Sequence, residues 1–587
     1  MELFRIQVHS SFICFRTVLE LRDISFTIQK DGHDVPLIQE VTFKVSEGHF
    51  MAIVGPSGCG KTTLLKLVAG INVESGGQVC WAGRDLSTEG DLEPAEIGYV
   101  PQFSVAYENL TVEENVEAAI RLRARTENRD AFHDLTDRTL SSVGLGELRE
   151  RPVRVLSGGQ KRRLSLALEL VSSPVLLLCD EVTSGLDPKS EEEIVRLLHD
   201  LSREGGRVVI IVTHSLAQLE LYDSVLVMHQ GRAVYHGPPR ALEHYFGVKE
   251  VEDVYPQLTK RPGEDWQRSW EKHREDYNHA LLAAGKAARQ HKGGEPGASG
   301  TSAETPGFFA QFFALFFRRC RIFVRDSGNI TLHAAILLGF PFLVVIFAMK
   351  GVGVTRELSD ILPQTMADFE RDRQVMSDNL GLGRLVSGLV MFQVILLTLM
   401  GSNNSSREIA GERHIYEKEK LGGVRASSYL ASKLAFLGIL VTVQSTWMAL
   451  FVQGICGIPT VTFWPQLALL LLVNAAMTAI CLGISGLAKT ADQASLLGVY
   501  LVGFQLPLSG ALLALPPVLD WLTRPFISAY WSWSGIMRSL EKPFYNAVDQ
   551  VTDTAFMPAS AGYVVLGMHV VLGLFLAYIG VKKPRWE

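Results

Sequence analysis

Residues 49 to 63 read HFMAIVGPSGCGKTT: a short apolar run, a glycine-rich turn, then the start of a helix-forming stretch. The turn fits G-x-x-x-x-G-K-[ST] in the strand–turn–helix setting that gives the pattern its meaning. Gly55, Gly58 and Gly60 let backbone N–H groups close around a β-phosphate, with Pro56, Ser57 and Cys59 filling the turn and the next helix presenting its positive end. Lys61 is expected at the β- and γ-phosphates and the Thr62 hydroxyl on Mg²⁺, with Thr63 next along the helix. Cys59 reads as filler rather than a redox switch.

Outward from this turn, strand-like runs recur at 18–30, 175–179, 207–212 and 224–229, mostly separated by helical stretches. That alternation marks an α/β domain with a largely parallel sheet, its compact part ending near 245. VLLLCDE places Asp180 at the end of a buried strand, where it can hold a Mg²⁺ shell, and Glu181 where it can polarise an attacking water. SGLD (184–187) follows, and VVIIVTHS puts His214 at the end of another strand, a candidate for the γ-phosphate. Gln102, in YVPQ, can reach both the metal and a neighbouring domain. A second glycine turn, LSGGQKRR (156–163), raises the question of why one domain needs two phosphate cradles.

The rest of the chain differs in character. A charged tail and a Gly/Ala/Ser/Thr/Pro-rich stretch (286–307) read as a helical segment and flexible linker spanning 246–307. FFAQFFALFFRRCRIFVRD (308–326) has aromatics on one side and Arg318, Arg319, Arg321 and Arg325 at its end. It reads as a helix lying along the membrane surface with the arginines toward headgroups, or as a packed amphipathic helix at a domain junction. About six spans follow, near 330–349, 384–402, 428–453, 464–487, 493–515 and 560–580, each approaching or exceeding the roughly 20 residues needed to cross a bilayer. The basic residues Arg407, Arg413, Lys418, Lys420 and Arg425, with Lys489, Lys582, Lys583 and Arg585, orient both termini to the cytosol. The loop at 350–383 would then lie outside.

The net charge of −6 argues against a nucleic-acid platform, and the seven cysteines lack CxxC spacing. The first twenty residues lack the apolar core and cleavage site of a secretory signal. No Asp, Glu, Lys or Arg marks an ion path within the central spans, which argues for an apolar or amphipathic cargo over proton coupling.

Taken together, the glycine turn, Gln102, LSGGQ, VLLLCDE, SGLD and His214 resemble the ABC ATPases in order and spacing. One such domain ahead of about six spans is similar to the White or G subfamily of half-transporters. The expected fold is an α/β P-loop ATPase domain followed by an all-α polytopic membrane domain: 1–245 the ATP-binding domain, 246–307 tail and linker, 308–327 the connecting helix, 328–587 the transmembrane domain. The resemblance implies ATP and Mg²⁺ (Thr62, Gln102, Asp180) as cofactors, with Lys61, Glu181 and His214 catalytic. It also implies that Ser157, Gly158, Gly159 and Gln160 face the γ-phosphate held by a partner's P-loop, with Asp187 nearby. A lone copy would then build no complete site, so an obligate dimer is implied, most simply a homodimer. ERHIYEKEKLGGVRASSYLASKL (412–434) looks like the family's charged cytosolic helix that touches the ATPase.

Some features depart from the family pattern. Ile28 stands where many ABC ATPases stack an aromatic on adenine, Val182 replaces a usual proline, and residues 516–559 hold no cysteine. With no N-x-[ST] acceptor in the expected outer loops, the chain reads as a prokaryotic-type member in the plasma (inner) membrane. Family members place a cargo cavity between spans two and five, which points to Phe392, Gln393, Phe504 and Gln505. The expected function is export or flipping of lipids or hydrophobic small molecules; the alternative is a mechanical transmitter acting on a partner protein.

Overall fold

The computed structural model describes residues 17–30, 32–90, 92–103, 105–290, 305–349, 351–356, 365–511 and 514–583. Most of the expected linker, 291–304, and Arg585 lie outside the described residues. The chain packs as two units. The first runs to Gly307 and includes Lys418–Val424; the second comprises Phe308–Glu417 and Arg425–Arg585.

Among its described residues the first unit has ten strands: β1 (Thr17–Lys30), β2 (His33–Ser46), β3 (Phe50–Val54), β4 (Gly76–Trp81), β5 (Arg84–Asp85), β6 (Ile97–Val100), β7 (Leu176–Asp180), β8 (Val208–Val212), β9 (Ser224–His229) and β10 (Arg232–Gly237). An antiparallel sheet of order β2-β1-β4-β5 accompanies a six-stranded sheet of order β10-β9-β3-β8-β7-β6, parallel except at β10. β3 and β8, and β7 up to its final Asp180, are apolar because both faces of the large sheet are covered. Phe50, Ala52 and Val54 enter one core, whereas Met51 and Ile53 enter the other. Since parallel strands end together, Gly55, Asp180 and the turn leading to His214 meet at one sheet edge.

The tail past 245 packs onto this unit. Val254 and Leu258 of the helix Val254–Leu258 are buried in its core, and Trp266 and Trp270 of the helix Gly263–Gln290 pack among Tyr235, Tyr245 and Phe246.

Among the described residues of the second unit, five helices are long and apolar enough to cross a membrane. They are Ser327–Val345, Met366–Ser405, Ala426–Cys456, Phe463–Leu487 and Ala559–Lys582. Three expectations shift. First, a capping box between Thr365 and Asp368 starts a helix at Met366, inside the expected 350–383 loop, and it runs forty residues to Ser405. Second, the expected span at 493–515 is a fifteen-residue helix, Ala491–Gln505, followed by Pro507, which cannot supply the next helical N–H. Third, a charge does lie inside the third expected span: Lys433 is buried, 3.0 Å from Glu408 Oε1 and 2.5 Å from Glu412 Oε1.

The connecting helix Phe308–Arg325 exposes Phe309, Phe313 and Phe317 along one side. Its arginines divide, however. Arg321 and Arg325 are exposed, Arg318 is buried, and Arg319 turns inward to grip Glu408 through Nε (2.5 Å) and Nη2 (2.8 Å). Two of the four are therefore not on the headgroup face. A buried carboxylate that needs a counter-charge drew Arg319 in.

Helices Phe463–Leu487 and Ala559–Lys582 approach most closely. A Cβ on Gly573 would sit 2.3 Å from the Ala479 carbonyl carbon, and one on Gly580 2.4 Å from that of Gly486. Small residues permit such contacts where no hydrophobic effect drives association. The middle of the bundle is polar: Asn404 and Gln444 exchange amide hydrogen bonds at 2.8 and 3.0 Å, and Asn474 donates to Ser445 Oγ at 3.1 Å.

Candidate functional site

The glycine turn leaves β3 through Gly55 (φ 150°), where a Cβ would lie 2.3 Å from the Met228 carbonyl oxygen, so only glycine fits. Gly60 (φ 101°) ends the turn as N-cap of the helix Lys61–Val68. Lys61, itself buried, folds back so that Nζ donates to the carbonyls of Gly55 (2.9 Å) and Pro56 (3.1 Å). Burial lowers its ammonium pKa from the ordinary value. Burial likewise raises the Cys59 thiol, as suits filler.

Thr62 Oγ1 donates to Asp180 Oδ1 at 2.9 Å, and Tyr99 OH to Oδ2 at 3.4 Å. Burial pushes the Asp180 carboxyl upward against these two hydrogen bonds. Glu181, the next residue, has φ 46° and N–H bonded to Val212 O, so the backbone turns sharply at the strand end and spends conformational energy there. Its carboxylate accepts from Gln102 Nε2 (2.8 Å) and lies 2.6 Å from His214 Nε2. A carboxylate only accepts, so Nε2 carries the hydrogen and Nδ1 is left facing Lys61 Nζ at 3.4 Å. Six expected residues, Lys61, Thr62, Gln102, Asp180, Glu181 and His214, thus form one connected cluster. Thr62 and Asp180 present hard oxygens, and Gln102 keeps its amide oxygen free of the bond to Glu181, a donor set that suits Mg²⁺.

The second glycine turn stands apart. Ser157 Oγ accepts from Gln160 N (3.3 Å) and Gln160 Oε1 from Ser157 N (3.0 Å), a capping box that opens the helix Gly158–Leu170. Among the described residues, no hydrogen bond joins 157–160 to Lys61, Thr62, Asp180 or His214. One turn further along that helix, Arg162 donates to the Gln102 carbonyl. Asp187 caps the helix Pro188–Arg203 by accepting from Ser190 N at 3.0 Å. Ile28 lies on β1 opposite Val35, away from the cluster's hydrogen bonds.

Glu169, at the far end of the Gly158–Leu170 helix, was not signalled by any motif. It is buried between Arg123 Nη1 (2.7 Å) and Lys418 Nζ (3.0 Å). Burial opposes its charge, but the two cations outweigh that and hold the carboxyl below its ordinary range. Of the cargo candidates in the second unit, Gln393 is buried and donates to Met448 O. Gln505 is buried and accepts from Ala529 N at 3.0 Å. Phe392 is half-buried, and Phe504 is 60% exposed.

These elements define an α/β ATPase-type domain followed by a helical membrane domain, and the chain is an integral membrane protein. Residues 38–184 match the ABC transporter family model and residues 310–532 the ABC-2 type transporter model. The ABC transporter ATP-binding/permease protein Rv1747 of Mycobacterium tuberculosis is 29% identical over 504 residues, covering 84% of this chain and 54% of that protein. The sulfate/thiosulfate import ATP-binding protein CysA of Bordetella pertussis is 37% identical over 207 residues, 35% of this chain and 58% of its own. The probable multidrug ABC transporter ATP-binding protein YbhF of Escherichia coli is 36% identical over 212 residues, 36% of each chain. This chain spans about half the length of the first curated relatives it matches. It is homologous to the Mycobacterium tuberculosis protein over that length.

Proposed function

We propose that this chain is an ATP-hydrolysing half-transporter of White/G type that works as a dimer and exports or flips lipids or amphipathic small molecules. The observation that carries the reading is the cluster of Lys61, Thr62, Gln102, Asp180, Glu181 and His214 at one sheet edge, in a chain whose described residues also hold five membrane-length helices. Lys61 and the turn's N–H groups bind the phosphates, Glu181 orients the attacking water, and His214 stabilises charge on the transferred group. Thr62, Asp180 and Gln102 would hold Mg²⁺, which when bound neutralises phosphate charge. Gly58 and Gly60 line the turn, with Ser57 and Thr63 beside it.

Dimerisation is inferred from the second turn. Ser157, Gly158 and Gly159 open a thirteen-residue helix, so its N–H groups and dipole suit an anion, yet none of the hydrogen bonds described ties them to their own chain's cluster. A second copy supplies the phosphate they would face. Phe504, exposed, is the first cargo contact to test, and the half-buried Phe392 the second.

The test is reconstitution in proteoliposomes. ATP hydrolysis stimulated by an amphiphile, abolished in Glu181→Gln, is expected. Mixing Lys61→Ala copies with Ser157→Arg copies should restore one functional site of the two. Hydrolysis without movement of any amphiphile would favour a mechanical transmitter, and full activity from an isolated monomer would overturn the dimer.

A further inference from the structure

We propose that Tyr255, from the tail beyond the family's motifs, is a positioning residue for hydrolysis that holds the His214 loop through its phenol hydroxyl. The inference rests on the ATPase reading above.

Tyr255 belongs to the helix Val254–Leu258, beyond the residues that match the ABC transporter model. Its hydroxyl donates to the His214 carbonyl at 3.1 Å. One side chain therefore ties the tail to the loop carrying His214, which follows β8, just as the first glycine of the phosphate-binding turn follows β3. The two lie side by side because β3 and β8 are parallel neighbours, Ile53 opposite Val212.

Tyr255 stands on firm ground. Val254 and Leu258 on either side of it are essentially fully buried, and Trp266 Nε1 donates to the Leu258 carbonyl at 3.2 Å. The His214 loop itself is less constrained. Residues 213–218 lie in neither a helix nor a strand, and local ties such as Ser215 N to Thr213 Oγ1 (3.1 Å) and Ala217 N to Ser215 Oγ (3.2 Å) stay within the loop. Thr213 Oγ1 to Thr183 Oγ1, at 3.4 Å, is a long contact to the β7 side. Thr213 N donates to Ile53 O at 3.1 Å at the loop's start, and Tyr255 adds a hydrogen bond at His214 itself from an anchored element outside the loop. Burial pushes the phenol up to about 12, so it remains an O–H donor at any working pH.

Two bonds depend on that loop: His214 Nε2 to Glu181 (2.6 Å), and His214 Nδ1 facing Lys61 Nζ (3.4 Å). Removing the hydroxyl frees the loop without removing any group that touches nucleotide. The geometry therefore assigns Tyr255 to the rate of hydrolysis rather than to ATP affinity.

The full chain in lipid nanodiscs, as wild type, Tyr255→Phe and Tyr277→Phe, tests this. Tyr277 packs against the same hydrophobic core, among Tyr235, Tyr245 and Trp270. Losing one hydrogen bond of ordinary strength predicts that Tyr255→Phe lowers kcat about fivefold, with KM for ATP and the thermal midpoint unchanged. Tyr277→Phe should match wild type. Hydrogen–deuterium exchange, which does not depend on turnover, should be faster over 213–218 in Tyr255→Phe alone. Unchanged kcat and unchanged exchange overturn the proposal, as does an equal fall in kcat in both variants or a loss expressed in KM. A wild type that hydrolyses no ATP overturns the ATPase reading; the exchange result then decides whether Tyr255 holds the loop.

Discussion

Glu181 Oε1 lies 2.6 Å from His214 Nε2, and the same carboxylate accepts from Gln102 Nε2 through its other oxygen. The carboxylate is thus oriented from two loops before any water reaches it. Glu181→Gln keeps the shape and loses the base. Hydrolysis should fall roughly 100-fold or more while ATP still binds. Single-turnover hydrolysis measured beside equilibrium nucleotide binding checks this, and loss of both together would contradict the assigned role.

Gly55 and Gly58 both have positive φ, but their surroundings differ. A Cβ at Gly55 would meet the Met228 carbonyl at 2.3 Å, whereas one at Gly58 would meet nothing within 4 Å. Gly55→Ala should lower the thermal midpoint clearly, by about 1–3 kcal/mol of overpacking in addition to backbone strain. Gly58→Ala should cost only the strain, about 1 kcal/mol. Comparing the two by thermal unfolding, with fluorescent ATP binding alongside, separates steric from conformational cost.

Much of the first unit was legible because its chemistry is local. β3, β7 and β8 read as apolar runs since both faces are buried, and Lys61, Thr62, Asp180 and Glu181 sit within short motifs at strand ends. What escaped the sequence depends on partners far away along the chain. Arg319 finds Glu408 across 89 positions, and Glu169 finds Arg123 across 46. Bunched arginines on an aromatic helix look alike whether they meet headgroups or a buried carboxylate. The helix at 366–383 was masked by its charges, which a capping box at Thr365 reconciles with helix. Tyr255 carries no motif at all.

Acid should weaken the first unit through its buried histidines. His236 lies edge-on to Phe43, and burial lowers its pKa to about 3; burial also lowers that of His49, whose Nε2 sits 2.7 Å from Ser224 Oγ. The unfolded value is about 6.5. Between about 6.5 and 3 the unfolded chain takes up a proton that folded His236 refuses. Stability is therefore full above 6.5 and falls as pH drops through that window. The slope from His236 alone approaches about 1.4 kcal/mol per pH unit. His236→Phe should flatten the fall in thermal midpoint between pH 6.5 and 5. An unaltered pH dependence would assign the acid sensitivity elsewhere.

Arg319, Glu408 and Lys433 form a buried set with two cations on one carboxylate, side-chain exposures being 14, 8 and 5%. The asymmetry makes a ranking testable. Arg319→Gln leaves Glu408 paired with Lys433, and losing the guanidinium 4.4 Å over the Phe436 ring is secondary. Glu408→Gln instead takes the shared carboxylate from two buried cations, of which Lys433 keeps that of Glu412 at 2.5 Å. Breaking a buried pair from one side costs about 3–5 kcal/mol, mostly from the uncompensated charge left behind. Glu408→Gln should therefore lower the thermal midpoint in detergent more than Arg319→Gln does. Combining the two substitutions should recover part of the loss, because one of those two cations is then gone. Equal midpoints for the two single variants would mean that the pairs are solvated rather than buried, and the inward turn of Arg319 would carry no energetic weight.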